Sequence, residues 1–293
     1  MIKKGAGRVK KNLFAKIISV AFILCVLAVI VFPLLYILAA SFKSPQELMA
    51  GGIRILPEKW SFENYITAWK TANFALYTSN SFIYAGVIMF FAVFFGSMLA
   101  YCFERHDYKI KKFVSACYYG SLYVSGSGTV FPVYMLLNQT GLNKTLLGLI
   151  VATIGMTHTF GVIMISSYLR GIPKELDESA VIDGCGPFRI YANILLPVIT
   201  PMLSLVAINA FQTAWNNYML PMVLTLTKPK LRTLAVGVTA LTTQAASSGG
   251  GKAFSATNLL VAGTVMASVP IIVVYLICSK FFVSDIMSGS VKG

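Results

Sequence analysis

The chain has 293 residues, of which 57% are apolar and only 12% charged, with a net charge of +14. A soluble domain carries about 25% charged residues, so this composition excludes a soluble enzyme or binding module. The basic residues are scattered over separate loops without an aromatic platform, which excludes nucleic acid as a partner.

In chain order, six runs approach the ~20 apolar residues that cross a bilayer as helix. They are Ile17 to Ala40, Ser81 to Phe103, Phe113 to Leu137, Leu146 to Leu169, Val198 to Leu220 and Asn258 to Phe281. The expected fold class is an all-α polytopic membrane protein with six transmembrane helices. The first run follows a basic segment, as a signal peptide would, but it exceeds the 7–15 residues of an h-region. It contains Pro33 and ends without a clear cleavage site, so it is expected to be a retained helix. The segment Ser41 to Asn80 is long enough to hold structure of its own. Trp60, Phe62, Tyr65 and Trp69 predict a short helix there, lying at the membrane interface or packed within the segment.

The third run contains Ser125, Gly126, Ser127, Gly128 and Thr129. Such a small, polar stretch either lets helices pack closely or lines a passage for a hydroxylated solute. In the fourth run His158 reads as a buried hydrogen-bonding group rather than a proton relay. Asn209, Gln212, Asn216 and Asn217 interrupt the fifth run; with Trp215 they offer amides and a ring, chemistry suited to a pyranose. The loop from Pro221 to Thr257 has a flexible tip at Ser247–Lys252. Its Gly251-Lys252 pair fails as a phosphate loop, because Ala246 stands where glycine is needed and Ala253 where Ser or Thr is needed.

Basic residues set the expected orientation. With the N-terminus inside, 15 Lys and Arg fall on the inner side and nine on the outer, which favours N-in and C-in. The excess charge also implies affinity for anionic lipid. The five cysteines lie in helices or on the inner side, and no residue set has metal-ligand spacing.

Between the fourth and fifth runs lies an acidic segment. Pro173 fits a first helical position. Glu175, Asp177 and Glu178 then load the first turns with negative charge, which suits the helix dipole. Leu176, Ser179, Ala180 and Asp183 recur at helical spacing as a narrow face of mostly small residues. Gly184, Gly186 and Pro187 end the helix, and a second short helix over roughly Phe188 to Leu195 leads to Pro197. A connector resting on lipid is the alternative. Three acids within four residues argue against it, because the inner leaflet is itself negative.

Glu178-x-Ala180-x-x-x-Gly184, then nine residues, then Ile194-x-Leu196-Pro197, resembles the cytoplasmic-loop motif of permease subunits of ATP-binding-cassette importers. The run Ile172 to Gly184 is similar to the carbohydrate-uptake branch. So are Phe62-Glu63-Asn64-Tyr65, Ser127 to Tyr134, Gly141 to Thr145, Trp215 to Tyr218 and Gly289 to Gly293. The nearest likeness is to the second permease of maltose-type systems, in a subgroup for complex oligosaccharides. Ser179 stands for the motif's first alanine, and Thr129 for a glycine often seen in the third helix.

The resemblance implies a type I importer permease fold in a bacterial cell membrane, with a second homologous permease, two ATPase subunits and an extracytoplasmic solute-binding protein as partners. ATP and Mg²⁺ would sit on the ATPases, with no cofactor on this chain. Residues 1–76 would hold the basic segment, first helix and outer loop, 77–281 the transmembrane domain and 282–293 a cytoplasmic tail. Glu175, Asp177, Glu178, Ser179, Ala180, Asp183 and Gly184 would form the ATPase-docking helix, and Val291, Lys292 and Gly293 would reach between the ATPases. Ser125, Ser127, Thr129, Asn209, Gln212, Trp215 and Asn216 are the candidate pathway residues. A secondary transporter would place ionisable residues inside the spans, which here carry no Asp, Glu, Lys or Arg except near their ends. No constellation for membrane-embedded catalysis is present in the sequence.

Overall fold

The structure is a computed structural model that describes residues 3–50, 54–124, 126–247 and 252–289. Every regular element among them is helical. In chain order these are α1 (Lys3–Ala40), α2 (Pro45–Met49), α3 (Glu63–Thr71), α4 (Phe74–Arg105), α5 (Lys111–Gly120), α6 (Gly126–Gln139) and α7 (Leu146–Arg170). There follow α8 (Glu175–Ile182), α9 (Pro187–Ile190), α10 (Leu196–Val198), α11 (Thr200–Trp215), α12 (Met219–Thr225), α13 (Leu234–Ser247) and α14 (Lys252–Gly289).

Among the described residues, four stretches are long and apolar enough to cross a membrane: Lys16–Ala40, Phe74–Arg105, Leu146–Arg170 and Thr257–Ile277. A fifth arises if Pro187–Val198 and Thr200–Trp215 form one span, bent by 80°. The bend falls at Ile199, between Pro197 and Pro201. The latter lacks the N–H that would continue the ladder back to the former's carbonyl.

Two expected spans are broken. The third, Phe113 to Leu137, divides into α5 and α6. Between them Ser121–Tyr123 tightens to a 3-10 turn and Val124 becomes extended, with ψ 117°. The Ser121 hydroxyl donates to the Tyr118 carbonyl at 2.6 Å, a local bond that competes with the helical ladder. The fifth is interrupted after Trp215 and resumes as α12. There the Asn217 amide donates to the Tyr84 hydroxyl at 3.1 Å, and that hydroxyl pairs with Thr153 at 2.9 Å.

The chain divides into two compact units. The larger, residues 69–240 and 267–293, has α4, α7 and α11 as its packed centre. Gly161 permits a close approach of α7 to α11, since a Cβ there would meet Val206 Cγ1 at 2.8 Å. The smaller unit, residues 1–68 and 241–266, is fastened by Asn64. Its amide donates to the carbonyls of Ser41 (2.8 Å) and Lys43 (2.9 Å) and accepts from Asn258 (2.6 Å). Phe42 packs against Trp60, Phe62 and Tyr65, with ring centroids 5.0–5.3 Å apart. The predicted aromatic helix is therefore α3 with its approach, packed against the end of α1, while Ile66 on it is exposed.

Candidate functional site

The acidic segment folds as α8, a reverse turn and α9. The helix starts at Glu175, with Pro173 lying ahead of it, and Glu175, Asp177 and Glu178 occupy its first turn. It stops in a left-handed glycine cap. Gly184 sits at φ +79°, Cys185 N–H donates to the Ala180 carbonyl at 2.9 Å, and Gly184 N–H donates to the Val181 carbonyl at 3.0 Å. This pair of bonds satisfies carbonyls that a helix end otherwise leaves open. The expected second helix starts at Pro187 but widens at Tyr191–Leu195 into a π turn.

One face of α8 is fastened to the bundle. Asp177 lies with its Oδ2 2.9 Å from Nε of Arg105, the last residue of α4, and the two side chains are only 17% and 5% exposed. The contact is an ion pair rather than an aligned hydrogen bond, and Asp177 Oδ1 is buried with no hydrogen-bond partner. The same guanidinium donates from Nη2 to the Ile172 carbonyl at 2.9 Å. Ala180 is 4% exposed and belongs to a core with Tyr101, Leu169, Ile190, Tyr191 and Leu195. Tyr101 donates to the Pro187 carbonyl at 3.1 Å, and Tyr191 pairs with the Ser97 hydroxyl at 2.8 Å.

These positions correct the expected docking set. Asp177 and Ala180 face inward, because three residues of helix rotate only about 60° short of a full turn; they hold the helix instead of presenting it. The expected stripe of Leu176, Ser179, Ala180 and Asp183 is therefore not one outward face. Glu175, Glu178, Ser179, Asp183 and Gly184 are exposed. Beside them stand Val181 (61% exposed), Ile182 (86%) and Phe188 (74%), an apolar group that sequence reasoning passed over. Its signal was a Val-Ile pair inside a polar segment. Arg105 was also missed, having been read only as a topology charge.

Next to α8 lies a polar groove of about 810 Å³, lined by Arg170, Lys174, Glu175 and Glu178 among others. On its rim Lys111 bonds Asp107 at 2.9 Å, and this bond, with the lysine's charge, holds the Asp107 carboxyl below its ordinary range. Arg170 similarly pairs with Glu104 at 3.2 Å.

The candidate pathway residues do not form one group. Thr129 and Asn209 line a cleft of about 420 Å³ at the break of the third span, with Thr159 and Thr213. Ser127 lines a different cleft of about 720 Å³, between α6 and α12. Gln212 and Asn216 are exposed outside both. Trp215 is 3% exposed, its ring stacked on Phe211 and edge-on to Phe82, and its indole N–H donates to the Ala267 carbonyl at 3.3 Å. Its ring faces are covered, so it is a packing residue rather than a sugar platform. His158 Nδ1 meets the Ile154 carbonyl at 2.7 Å, a local hydrogen bond. Ser125, Val291, Lys292 and Gly293 lie outside the described residues.

Residues 5–287 match the family of binding-protein-dependent transport system inner membrane components. The chain is 30% identical to the probable ABC transporter permease protein YurM of Bacillus subtilis, over 93% of this chain and 87% of that protein. It is 30% identical to the arabinooligosaccharides transport system permease protein AraQ of Halalkalibacterium halodurans (90% and 91% covered). It is 28% identical to the diacetylchitobiose uptake system permease protein NgcG of Streptomyces coelicolor (94% and 88% covered). Among solved structures, a chain of a bacterial ABC transporter that imports the acidic polysaccharide alginate superimposes with TM-score 0.76. Identity there is 18%, with 93% of this chain and 98% of that one covered.

Proposed function

The chain belongs to the binding-protein-dependent transport system inner membrane components, and from that premise we propose that it is the permease subunit of an ATP-driven importer whose cargo is an oligosaccharide. The cargo class is supported by the names of its relatives, arabinooligosaccharides for AraQ and diacetylchitobiose for NgcG. The chain is a non-catalytic membrane subunit. ATP and Mg²⁺ belong to two partner ATPase subunits, and no cofactor is assigned to this chain.

In this reading six crossings put both termini in the cytoplasm, with α5–α6 and α11–α12 each serving as one discontinuous crossing. Irregular backbone at membrane depth is tolerated where it is buried in protein or lines a cavity, as the cleft at Thr129 and Asn209 does. Residues 77–281 form the transmembrane domain, preceded by the basic segment, first helix and outer loop (1–76) and followed by the tail (282–293). A second, homologous permease completes the pathway, and an extracytoplasmic solute-binding protein delivers the sugar. That delivery is supported by a solved alginate transporter of the same fold, in complex with a pentasaccharide-bound periplasmic protein (TM-score 0.66).

The observation that carries the reading is α8: fastened on one face by Arg105 and Ala180, and open on the other at Glu178, Val181 and Ile182. ATP closes the ATPase pair, α8 follows as a rigid body, and the pathway turns from inward- to outward-facing. Glu178 pairs with a basic group of the ATPase. Ser179, Val181, Ile182 and Phe188 enter its cleft, Gly184 sets the docking angle, and Val291, Lys292 and Gly293 reach between the ATPases.

The test is Glu178→Lys, with Asp183→Cys in a cysteine-free chain as the orientation probe. Glu178→Lys is expected to leave membrane insertion intact while uptake and ATPase copurification fall. Normal uptake by an intact copurified complex would remove the docking role. Labelling of Asp183→Cys by an impermeant maleimide outside intact cells would overturn the orientation.

A further inference from the structure

The cleft between α6 and α12 has the makings of a ligand site that the coupling mechanism does not use. Its volume of about 720 Å³ lies within the ~300–1,000 Å³ typical of small-molecule pockets. Phe131 and Tyr134, three residues apart on α6, put two rings on one wall, the former 71% exposed. Asn138 and Asn143 meet on the rim, where the Asn143 amide donates to Asn138 Oδ1 at 2.7 Å. That bond leaves the amide hydrogens of Asn138 and the carbonyl oxygen of Asn143 for a guest. Lys144 stands beside them, exposed.

The charge is the informative part. No Asp or Glu lines this cleft, and among the described residues no carboxylate pairs with Lys144. Elsewhere on this unit Lys111 pairs with Asp107, Arg170 with Glu104 and Arg105 with Asp177. The turn that carries Lys144 is fixed. Leu142 and Asn143 N–H both donate to the Leu137 carbonyl (2.9 and 3.1 Å), and Thr145 N–H donates to that of Leu142 (3.2 Å). The backbone under Lys144 is therefore fixed, and its flexible side chain lines the cleft with the amides and rings. Rings cover the apolar face of a sugar, amides pair with its hydroxyls, and an unneutralised cation pairs with a carboxylate through a charge-assisted hydrogen bond. A neutral sugar uses only the first two.

We propose that this cleft is a cargo subsite selective for a uronic-acid-containing oligosaccharide, with Lys144 as the carboxylate partner and Tyr134 as the stacking ring. The proposal rests on the reading of the chain as a sugar importer's permease with the α6–α7 turn facing outward.

Binding is measured by calorimetric titration of the importer complex in neutral-lipid nanodiscs, with trigalacturonate and its neutral analogue galactotriose as probes. The chain alone in the same discs is titrated in parallel, so the cleft is tested whether or not a complex assembles. Trigalacturonate is expected to bind more tightly than galactotriose by about tenfold, the size of one charge-assisted contact. Lys144→Gln should remove that advantage, Lys144→Arg should restore it, and Tyr134→Leu should weaken both sugars. Equal affinity for the two sugars, or trigalacturonate binding unchanged in Lys144→Gln, overturns the proposal. So does a Lys144 effect that appears only when anionic lipid is added and no sugar binds, which would assign the cation to a headgroup. A complex that assembles and couples ATP hydrolysis to transport while failing these titrations refutes the subsite alone. Failure of the chain to join any ATPase refutes the importer reading instead.

Discussion

Replacing Arg105 by methionine removes the single side chain that ties α8 to the end of α4 by charge. The wild-type contact is 2.9 Å between Nε and Oδ2, with exposures of 5% and 17%. Deleting one partner of a buried ion pair costs about 3–5 kcal/mol, mostly because the other charge is left uncompensated. The partial exposure of Asp177 places this case at the low end, about 3 kcal/mol. Loss of the bond to the Ile172 carbonyl adds about 1 kcal/mol. A change of ~4 kcal/mol raises the population of locally detached α8 on the order of 1,000-fold.

Hydrogen exchange at residues 175–183 of the membrane-reconstituted chain reads that population directly. Exchange there should accelerate on the order of 1,000-fold in Arg105→Met, with α7 unaffected, and uptake should fall while ATP hydrolysis continues uncoupled. The double variant Arg105→Met with Asp177→Leu should recover most of the protection, since no charge is then left buried. Refutation would be unchanged exchange and full uptake in the single variant, or a double variant whose loss is the sum of the two singles.

Gly184→Ala should destabilise the α8 cap by about 1–2 kcal/mol, because φ is +79° and an L-residue resists that conformation. A Cβ there meets nothing within 4 Å, so Gly184→Asn, which tolerates the region, should cost less; equal losses by thermal unfolding would contradict a conformational cause. Val181→Ser with Phe188→Ser should leave folding unaffected, since both side chains are exposed, yet reduce ATPase copurification by about tenfold or more, as loss of buried apolar anchors does. Asn64→Asp should loosen the segment after α1 more than Asn64→Ala does. A carboxylate cannot donate to the Ser41 and Lys43 carbonyls it would face, and limited proteolysis between residues 41 and 72 would rank the two.

The sequence was most readable where structure depends on neighbours along the chain. The run Leu146 to Leu169 becomes α7 almost residue for residue, because continuous apolar character and the Thr145 cap are both local. The turn at Gly184 was equally legible, since glycine followed by Gly-Pro leaves a helix little choice. Legibility failed where a distant partner decides. Of three neighbouring acids, Asp177 turns inward only because Arg105 waits at the end of another helix. The amides of the fifth run looked alike, yet Asn217 is claimed by Tyr84 while Asn209 faces a cleft. Trp215 read as a sugar platform because its chemistry fits; Phe211 and Phe82, packed over it, withdraw the ring. Hydropathy alone also passed over Val124, where one extended residue divides the third span.

A surface helix transmits force only if it cannot slide on what it is mounted upon. Ala180, Ile190, Tyr191 and Leu195 share one core with Tyr101 and Phe103 of α4, Ile165 and Leu169 of α7, and Val206 of α11. Close-packed interiors yield little, so a displacement of α8 must be taken up by the ends of all three helices together. A helix built to rest on lipid would turn Val181, Ile182 and Phe188 into the bilayer, yet it would carry Glu178 toward an anionic surface as well. A protein cleft with a basic group beside an apolar floor satisfies both requirements at once. The inward face is already held by an ion pair and a packed alanine, and the segment after it by two tyrosine hydrogen bonds, at Pro187 and Tyr191. The outward face is left open, and under the proposed docking that asymmetry between the two faces would make α8 a transmission element rather than a connector.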